Sequence, residues 1–199
     1  MAEAVDSTSP PVVTLIGGPN GAGKSTLATK LLPASTQFVN ADVVAKELAY
    51  GGHDATEVEA GRIVLRQLEE IERAREGFAL ETTLASRSLA RRVERLQRSG
   101  YLFRLIYVWL PTADLSVQRV ADRVERGGHS IPEDTVRRRY VSGIRHFYQI
   151  FMPMADTWEA YANIEPEGPE LVARGVHEGP VIWYNKTIWD RIVEMAGAE

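Results

Sequence analysis

The chain of 199 residues has no cysteine, which excludes disulfides, thiolate metal sites and cysteine nucleophiles. Histidine is nearly as scarce, four residues in all, and leaves little scope for a zinc site. No apolar stretch approaches the roughly 20 residues that a membrane-spanning helix needs. Residues 1–11 are small, polar and end in proline, with neither a basic start nor an apolar run. They read as a disordered N-terminal tail and not a signal peptide, so a cytoplasmic address is expected. Residues 12–199 are enough for one domain with a sizeable core.

Charge is unevenly spread. The formal net charge is −4, yet residues 87–145 carry 13 Arg against 6 Asp and Glu. Solvated helix faces account for many such arginines, but the planar guanidinium fork also suits phosphate-rich ligands. An acidic whole with a basic middle favours a small anionic substrate over nucleic acid.

The most informative stretch is Gly18-Pro19-Asn20-Gly21-Ala22-Gly23-Lys24-Ser25-Thr26. It satisfies the G-x-x-x-x-G-K-[ST] phosphate-loop pattern, after the apolar run Val12–Ile16 and before the helix-prone Leu27–Leu32. Wrapping a triphosphate with backbone N–H groups requires turns and close approach, which Gly18, Gly21 and Gly23 permit. The loop opens a helix, whose N-terminus favours anions. In this pattern Lys24 reaches the β- and γ-phosphates, the Ser25 hydroxyl ligates Mg²⁺, and Thr26 lies near the α-phosphate. ATP and Mg²⁺ are therefore the expected ligands.

Further along, Gln37–Asn40 reads as a second strand ending at Asp42, and 56–75 as an amphipathic helix. Phe78–Leu80 is a third strand that delivers Glu81, Thr82 and Thr83 to the rim beyond the strand ends, where ligands bind in open α/β sheets. A helix over 88–98 and a strand over 101–110 follow. Residues 112–127 form a helix with Val117, Val120, Ala121 and Val124 on one side and Arg119, Arg123 and Arg126 on another. After Gly127-Gly128-His129, a helix to about residue 150 carries the stripe Val136, Tyr140, Ile144, Phe147 and Phe151, with Arg138 and Arg145 nearly opposite. The pair, about 112–150, is expected to be a helical lid, with an ordinary helical hairpin as the alternative. Residues 170–196 read as a hairpin or last pair of strands and a helix over 186–195. The aromatic residues Trp183, Tyr184 and Trp189 read as packing.

Strands alternating with helices give an α/β fold of the phosphate-loop NTPase, nucleoside-kinase-like kind: a mostly parallel sheet sandwiched by helices. Asn185-Lys186-Thr187-Ile188 lacks the closing Asp of a guanine reader, and no apolar strand runs into the Asp typical of motor ATPases, although Glu81 could serve that role through water. A small-molecule kinase needs a carboxylate for the acceptor's hydroxyl proton, polar groups for the acceptor and arginines for the moving phosphoryl. Asp42, the cluster 81–83 and the face with Arg119, Arg123 and Arg126 meet these needs. Duller roles exist: Asp42 as a helix cap, Glu81 as the buried partner of an arginine, His129 as a turn residue.

The phosphate loop, Asn40-Ala41-Asp42, Glu81-Thr82-Thr83-Leu84, and residues 123–132 with Arg138-Arg139-Tyr140 resemble a short member of the zeta toxin family of phosphate-loop kinases, over about residues 11–195. The resemblance implies ATP-dependent phosphorylation of a hydroxyl on a UDP-N-acetylhexosamine, with Asp42 as catalytic acid/base and Glu81 and Thr83 as acceptor-binding residues. Arg87 would be the substrate arginine, at a spacing that differs by two. Arg123 matches one lid arginine; the second falls at His129, so Arg137, Arg138 or Arg139 would replace it. It also implies an antitoxin partner. Kinases for a nucleoside, an antibiotic or a nucleic-acid 5′ end, and an ATP-dependent regulatory module without transfer, are the alternatives.

Overall fold

The computed structural model describes residues 9–40, 55–128, 130–164 and 168–197. Its centre is a seven-stranded sheet in the order β2-β3-β1-β4-β5-β6-β7, with β1 at Val12–Gly17, β2 at Gln37–Asn40, β3 at Phe78–Thr82, β4 at Leu102–Trp109, β5 at Thr157–Ala162, β6 at Glu170–Val176 and β7 at Ile182–Trp183. Neighbouring strands from β2 to β5 pair in parallel, and β6 pairs antiparallel with both β5 and β7. The helices are α1 at Lys24–Leu31, α2 at Ala55–Ala74, α3 at Ser88–Arg98, α4 at Ala113–Glu125, α5 at Glu133–His146 and α6 at Lys186–Met195. A π-helical turn, Phe147–Phe151, extends α5.

Both faces of the sheet are covered, so its central strands read as near-continuous apolar runs. Leu15, Phe103, Leu105, Tyr107 and Trp109 belong to the larger core with Leu68 of α2, Val93 and Leu96 of α3, and Ile144, Phe147 and Phe151. Ile16, Ile106 and Val108 turn the other way, to Leu27 and Ala28 of α1. This alternation is the period-two geometry of a strand.

Two sequence expectations need correction. On α4 the buried positions are Ser116 and Val120, whereas Ala121 and Val124 are exposed, because only the first two turns rest on the phosphate loop. Trp189 does pack, stacked on Trp158 at 5.2 Å, but Trp183 and Tyr184 stay half exposed on the sheet's edge. Lys186 Nζ and the Arg174 guanidinium lie over their rings at 5.8 and 5.7 Å.

Strand β5 was not expected from sequence. It joins β4 as a parallel neighbour and buries Trp158, Ala160 and Ala162. Its Glu159 is accommodated beside Arg104 of β4, 2.7 Å away.

Candidate active site

The loop between β1 and α1 carries the site. Gly18 (φ 146), Gly21 (φ 75) and Gly23 (φ 81) hold left-handed backbone, and a Cβ on Gly18 would stand 2.3 Å from the Val108 carbonyl oxygen. Only glycine fits both demands. Gly23 precedes α1 without a side-chain cap, so the first N–H groups of the helix have no side chain of their own to satisfy them.

The loop is held from outside through its carbonyl oxygens. Ser116 Oγ of α4 donates to Asn20 O at 2.6 Å, and Asn163 Nδ2, one residue beyond β5, donates to Ala22 O at 2.9 Å. Fixing carbonyls outward directs the alternate N–H groups inward, as an anion-binding nest requires. Arg119 lies against the same loop: a Cβ on Gly21 would be 2.8 Å from Arg119 Cβ. Further along α4, Arg123 and Arg126 are exposed.

Lys24 is buried, 6% exposed, and its Nζ donates to Pro19 O at 3.0 Å. It also stands 3.7 Å from Glu81 Oε1. The other carboxylate oxygen of Glu81 accepts the Ser25 hydroxyl at 2.6 Å. Among the described residues Glu81 thus pairs with the loop lysine and with no arginine. The register explains the convergence, because Ile16 of β1 is the partner of Glu81 on β3, and the loop leaves β1 one residue later.

The residues fit a nucleotide with a hard divalent cation. Glycines stand where a Cβ would collide with Val108, Arg119 and Asn163, which hold the loop in shape, a hydroxyl and a carboxylate offer oxygen donors of the kind Mg²⁺ takes, and Asn20 Oδ1 is buried with no partner among the described residues. No group of three or more His, Cys, Asp or Glu side chains forms an all-protein metal cage among the described residues.

After β3 the chain turns through Thr83 and Leu84, both buried. Leu84 adopts a left-handed φ of 56, and its side chain packs under Gly17, where a Cβ would come within 2.5 Å of Leu84 Cδ1. Helix α5 presses on this turn so closely that a Cβ on Gly143 would lie 2.4 Å from Thr83 O. Arg87 follows, exposed, at the start of α3. Arg138 is exposed on α5 and is not brought into the cluster. Arg137 is engaged by Asp114 at 2.6 Å and Glu133 at 2.7 Å. Arg139 is half-buried and, four residues before Gly143 and seven before His146, shares their helix face toward the turn. Tyr140 donates to Leu110 O at 2.7 Å, and burial pushes its phenol up to about 12.

The structure therefore brings Gly18, Gly21, Gly23, Lys24, Ser25, Glu81 and Arg119 together, with Thr83 and Arg87 on the adjoining turn. Thr26 is exposed beside Ser25 on α1. Asp42 and His129 lie outside the described residues. Sequence reasoning missed Ser116, Asn163 and His146. Single polar residues outside a motif carry no signal in one sequence; His146 alone offered a hint, as a polar residue inside an apolar helical stripe.

Comparison with known proteins agrees with this architecture. An uncharacterized protein of Haemophilus influenzae is 29% identical over 123 residues, 62% of this chain and 88% of that protein. The crystal structure of AvrRxo1-ORF1:-ORF2 with ATP matches with a TM-score of 0.68 at 18% identity, covering 93% of this chain and 64% of that one. The chain spans just under two thirds of that protein. A structure from the PezAT chromosomal toxin-antitoxin system of Streptococcus pneumoniae matches with a TM-score of 0.64 at 18% identity, covering 99% of this chain and 82% of that one. The shared fold is a phosphate-loop kinase-like one. Residues 13–141, with the phosphate loop, Glu81 and both Arg-bearing helices down to Tyr140, match the model of AAA_33, an AAA domain, and the chain belongs to that family.

Proposed function

We propose that the chain is an ATP-dependent kinase that transfers the γ-phosphoryl group to a hydroxyl of a small molecule, with a UDP-N-acetylhexosamine as acceptor. The observation that supports it most is the convergence of Lys24, Ser25 and Glu81, held together at 2.6 and 3.7 Å, on a loop of phosphate-binding geometry. In this reading the loop N–H groups and Lys24 bind the phosphates, and Arg119 lies along them. When bound, Mg²⁺ would be held by Ser25, with Glu81 orienting its water, and would neutralise charge on the terminal phosphates. Asp42 takes the proton of the acceptor hydroxyl while that oxygen bonds to the γ-phosphorus and the bond to the leaving ADP oxygen breaks. Arg123 and Arg126 meet the charge of the moving group. Thr83, Arg87 and a lid arginine, Arg139 in preference to Arg138, serve the acceptor.

The acceptor assignment draws on the resemblance in the phosphate loop, residues 81–84 and residues 123–132, and on the fold shared with the protein of the PezAT system. That neighbour also motivates an antitoxin-like partner that blocks the nucleotide site. The test is incubation with ATP, Mg²⁺ and a panel of UDP-N-acetylglucosamine, nucleosides and 5′-hydroxyl oligonucleotides, read by mass spectrometry. Gain of one phosphoryl group on the sugar nucleotide is expected, and Asp42→Asn should abolish it while ATP still binds. Transfer to another acceptor would replace the acceptor, and ATP binding without any transfer would leave a regulatory module.

A further inference from the structure

His146 has no part in the reading above, yet it ties the acceptor side of the site to helix α5. Its ring is buried, 8% exposed. Nδ1 lies 2.8 Å from Leu84 O, and Arg87 Nε donates to Nε2 at 3.3 Å. A carbonyl oxygen can only accept and a guanidinium N–H can only donate, so one state of the ring satisfies both contacts: neutral, with the proton on Nδ1. We propose that His146 is the positioning residue for Arg87, aiming its guanidinium at an anionic group of the acceptor. This rests on the kinase reading with Arg87 on the acceptor side.

The surroundings leave the ring little freedom. The carbonyl it binds belongs to Leu84, a residue in left-handed backbone whose side chain is fully buried. Thr83 O stands where any side chain at position 143 would collide. The π-helical turn begins at the next residue, and Phe147 stacks on Tyr107 at 4.1 Å. The turn from Thr83 to Leu84 and helix α5 are thereby fixed to one another, and the ring spans them. Arg87 itself is exposed, and an exposed arginine samples many rotamers. Engaging Nε selects among them and leaves both terminal NH₂ groups, the fork that meets two oxygens of a phosphate or carboxylate, pointing away from the histidine.

The two ring nitrogens can be replaced separately. In His146→Asn the side-chain amide takes the place of Nδ1, keeping the bond to Leu84 O and losing Arg87. In His146→Gln the amide oxygen takes the place of Nε2, restoring an acceptor for Arg87 and losing Leu84 O. With UDP-N-acetylglucosamine as acceptor, His146→Asn should raise the acceptor KM about tenfold, the scale of a hydrogen bond to a charged group, with the KM for ATP and the thermal midpoint unchanged. His146→Gln should return the acceptor KM toward wild type, at a lower thermal midpoint. Adding His146→Asn to Arg87→Ala should cost nothing further. An additive double variant, or equal loss for ATP and acceptor, overturns the proposal.

Nitrogen-15 NMR of the imidazole decides the pairing independently of turnover. The Nδ1–H tautomer is expected, with an Nε2 resonance that moves on Arg87→Ala. The other tautomer, or an Nε2 signal indifferent to that substitution, overturns it. A wild-type enzyme that shows the expected signature and leaves UDP-N-acetylglucosamine untouched disproves the acceptor assignment, not the pairing.

Discussion

Replacing Glu81 by glutamine is expected to tighten ATP binding without divalent cations and to weaken it with them. In the proposed site Lys24 serves the phosphates and Ser25 the cation, and the carboxylate holds both: Ser25 donates to it at 2.6 Å and Lys24 Nζ lies 3.7 Å away. Attraction across that 3.7 Å gap is about 1 kcal/mol at the permittivity of water and about 4 to 5 kcal/mol at an effective value of 20. Metal-free ATP must compete with this tie and bring further negative charge beside the carboxylate. Taking the lower figure, removal of the charge should lower the metal-free Kd about fivefold. With Mg²⁺ the sign reverses, because a neutral amide orients a cation's water less well, and kcat should fall about a hundredfold. The assay is displacement of a fluorescent ATP analogue by ATP in EDTA and again in Mg²⁺, with Glu81→Ala to separate charge from shape. An unchanged or weaker metal-free affinity in Glu81→Gln would refute the competition between Glu81 and the phosphates.

Asn163→Ala removes the donor to Ala22 O and should raise the KM for ATP several-fold with the acceptor KM unchanged, as read by steady-state kinetics. Gly143→Ala places a methyl group 2.4 Å from Thr83 O, so α5 and the turn must part; a loss of about 1–3 kcal/mol in urea unfolding is expected, with a raised acceptor KM. Burial lifts the phenol of Tyr140 to about 12 and that of Tyr107 well above its ordinary value. Between pH 10 and 12 the unfolded chain releases these protons and the folded one keeps them, so stability is full below pH 10 and falls as pH rises. Each unit is worth about 1.4 kcal/mol per group at most, less where water reaches the ring. Thermal melts across that range check the slope, which should be shallower in Tyr140→Phe.

What could be read in advance followed from strong local patterns. The run Val12–Ile16 flows into the phosphate loop, and α6 has the bounds expected of it, since Asn185 caps it by accepting from Ile188 N at 3.1 Å. The buried stripe of α5 was legible because Val136, Tyr140 and Ile144 recur at helical spacing, and all three are buried. Strand β5 was illegible for the opposite reason. Alanine at two of its positions and a glutamate at another blur the apolar pattern, and Glu159 is tolerated only because a neighbouring strand supplies Arg104. The side chains that hold the site share this difficulty. Asn163 reaches a carbonyl 141 residues away and His146 one that is 62 away, and such partners exist only after the sheet has ordered its strands. Residue 81 was placed on the right rim, but its partner was settled by strand register, which no local pattern records.

The lid expected over 112–150 acquires narrower limits from these contacts. Helix α4 is pinned near its start, where Thr112 caps it at 3.1 Å and Ser116 holds the phosphate loop. Helix α5 is pinned along its second half by Tyr140 on Leu110 O, Gly143 on the turn after β3, and His146 on Leu84 O. Arg137 braces the two helices through Asp114 and Glu133. Closure by a rigid swing of the whole pair would break the ties of Ser116 to Asn20 O, Tyr140 to Leu110 O and His146 to Leu84 O at once, each worth about 1 kcal/mol, while Arg137 would hold the two helices to one another. At the end of α4, Arg123, Val124 and Arg126 are exposed. In the kinase reading, movement that brings arginines to a phosphate is expected at this exposed tip, with Arg123 and Arg126, while Arg119, packed against Gly21 of the phosphate loop, stays with the fixed base; amide hydrogen exchange that quickens at 123–128 and not at 116–119 would support this, and uniform exchange along α4 would refute it.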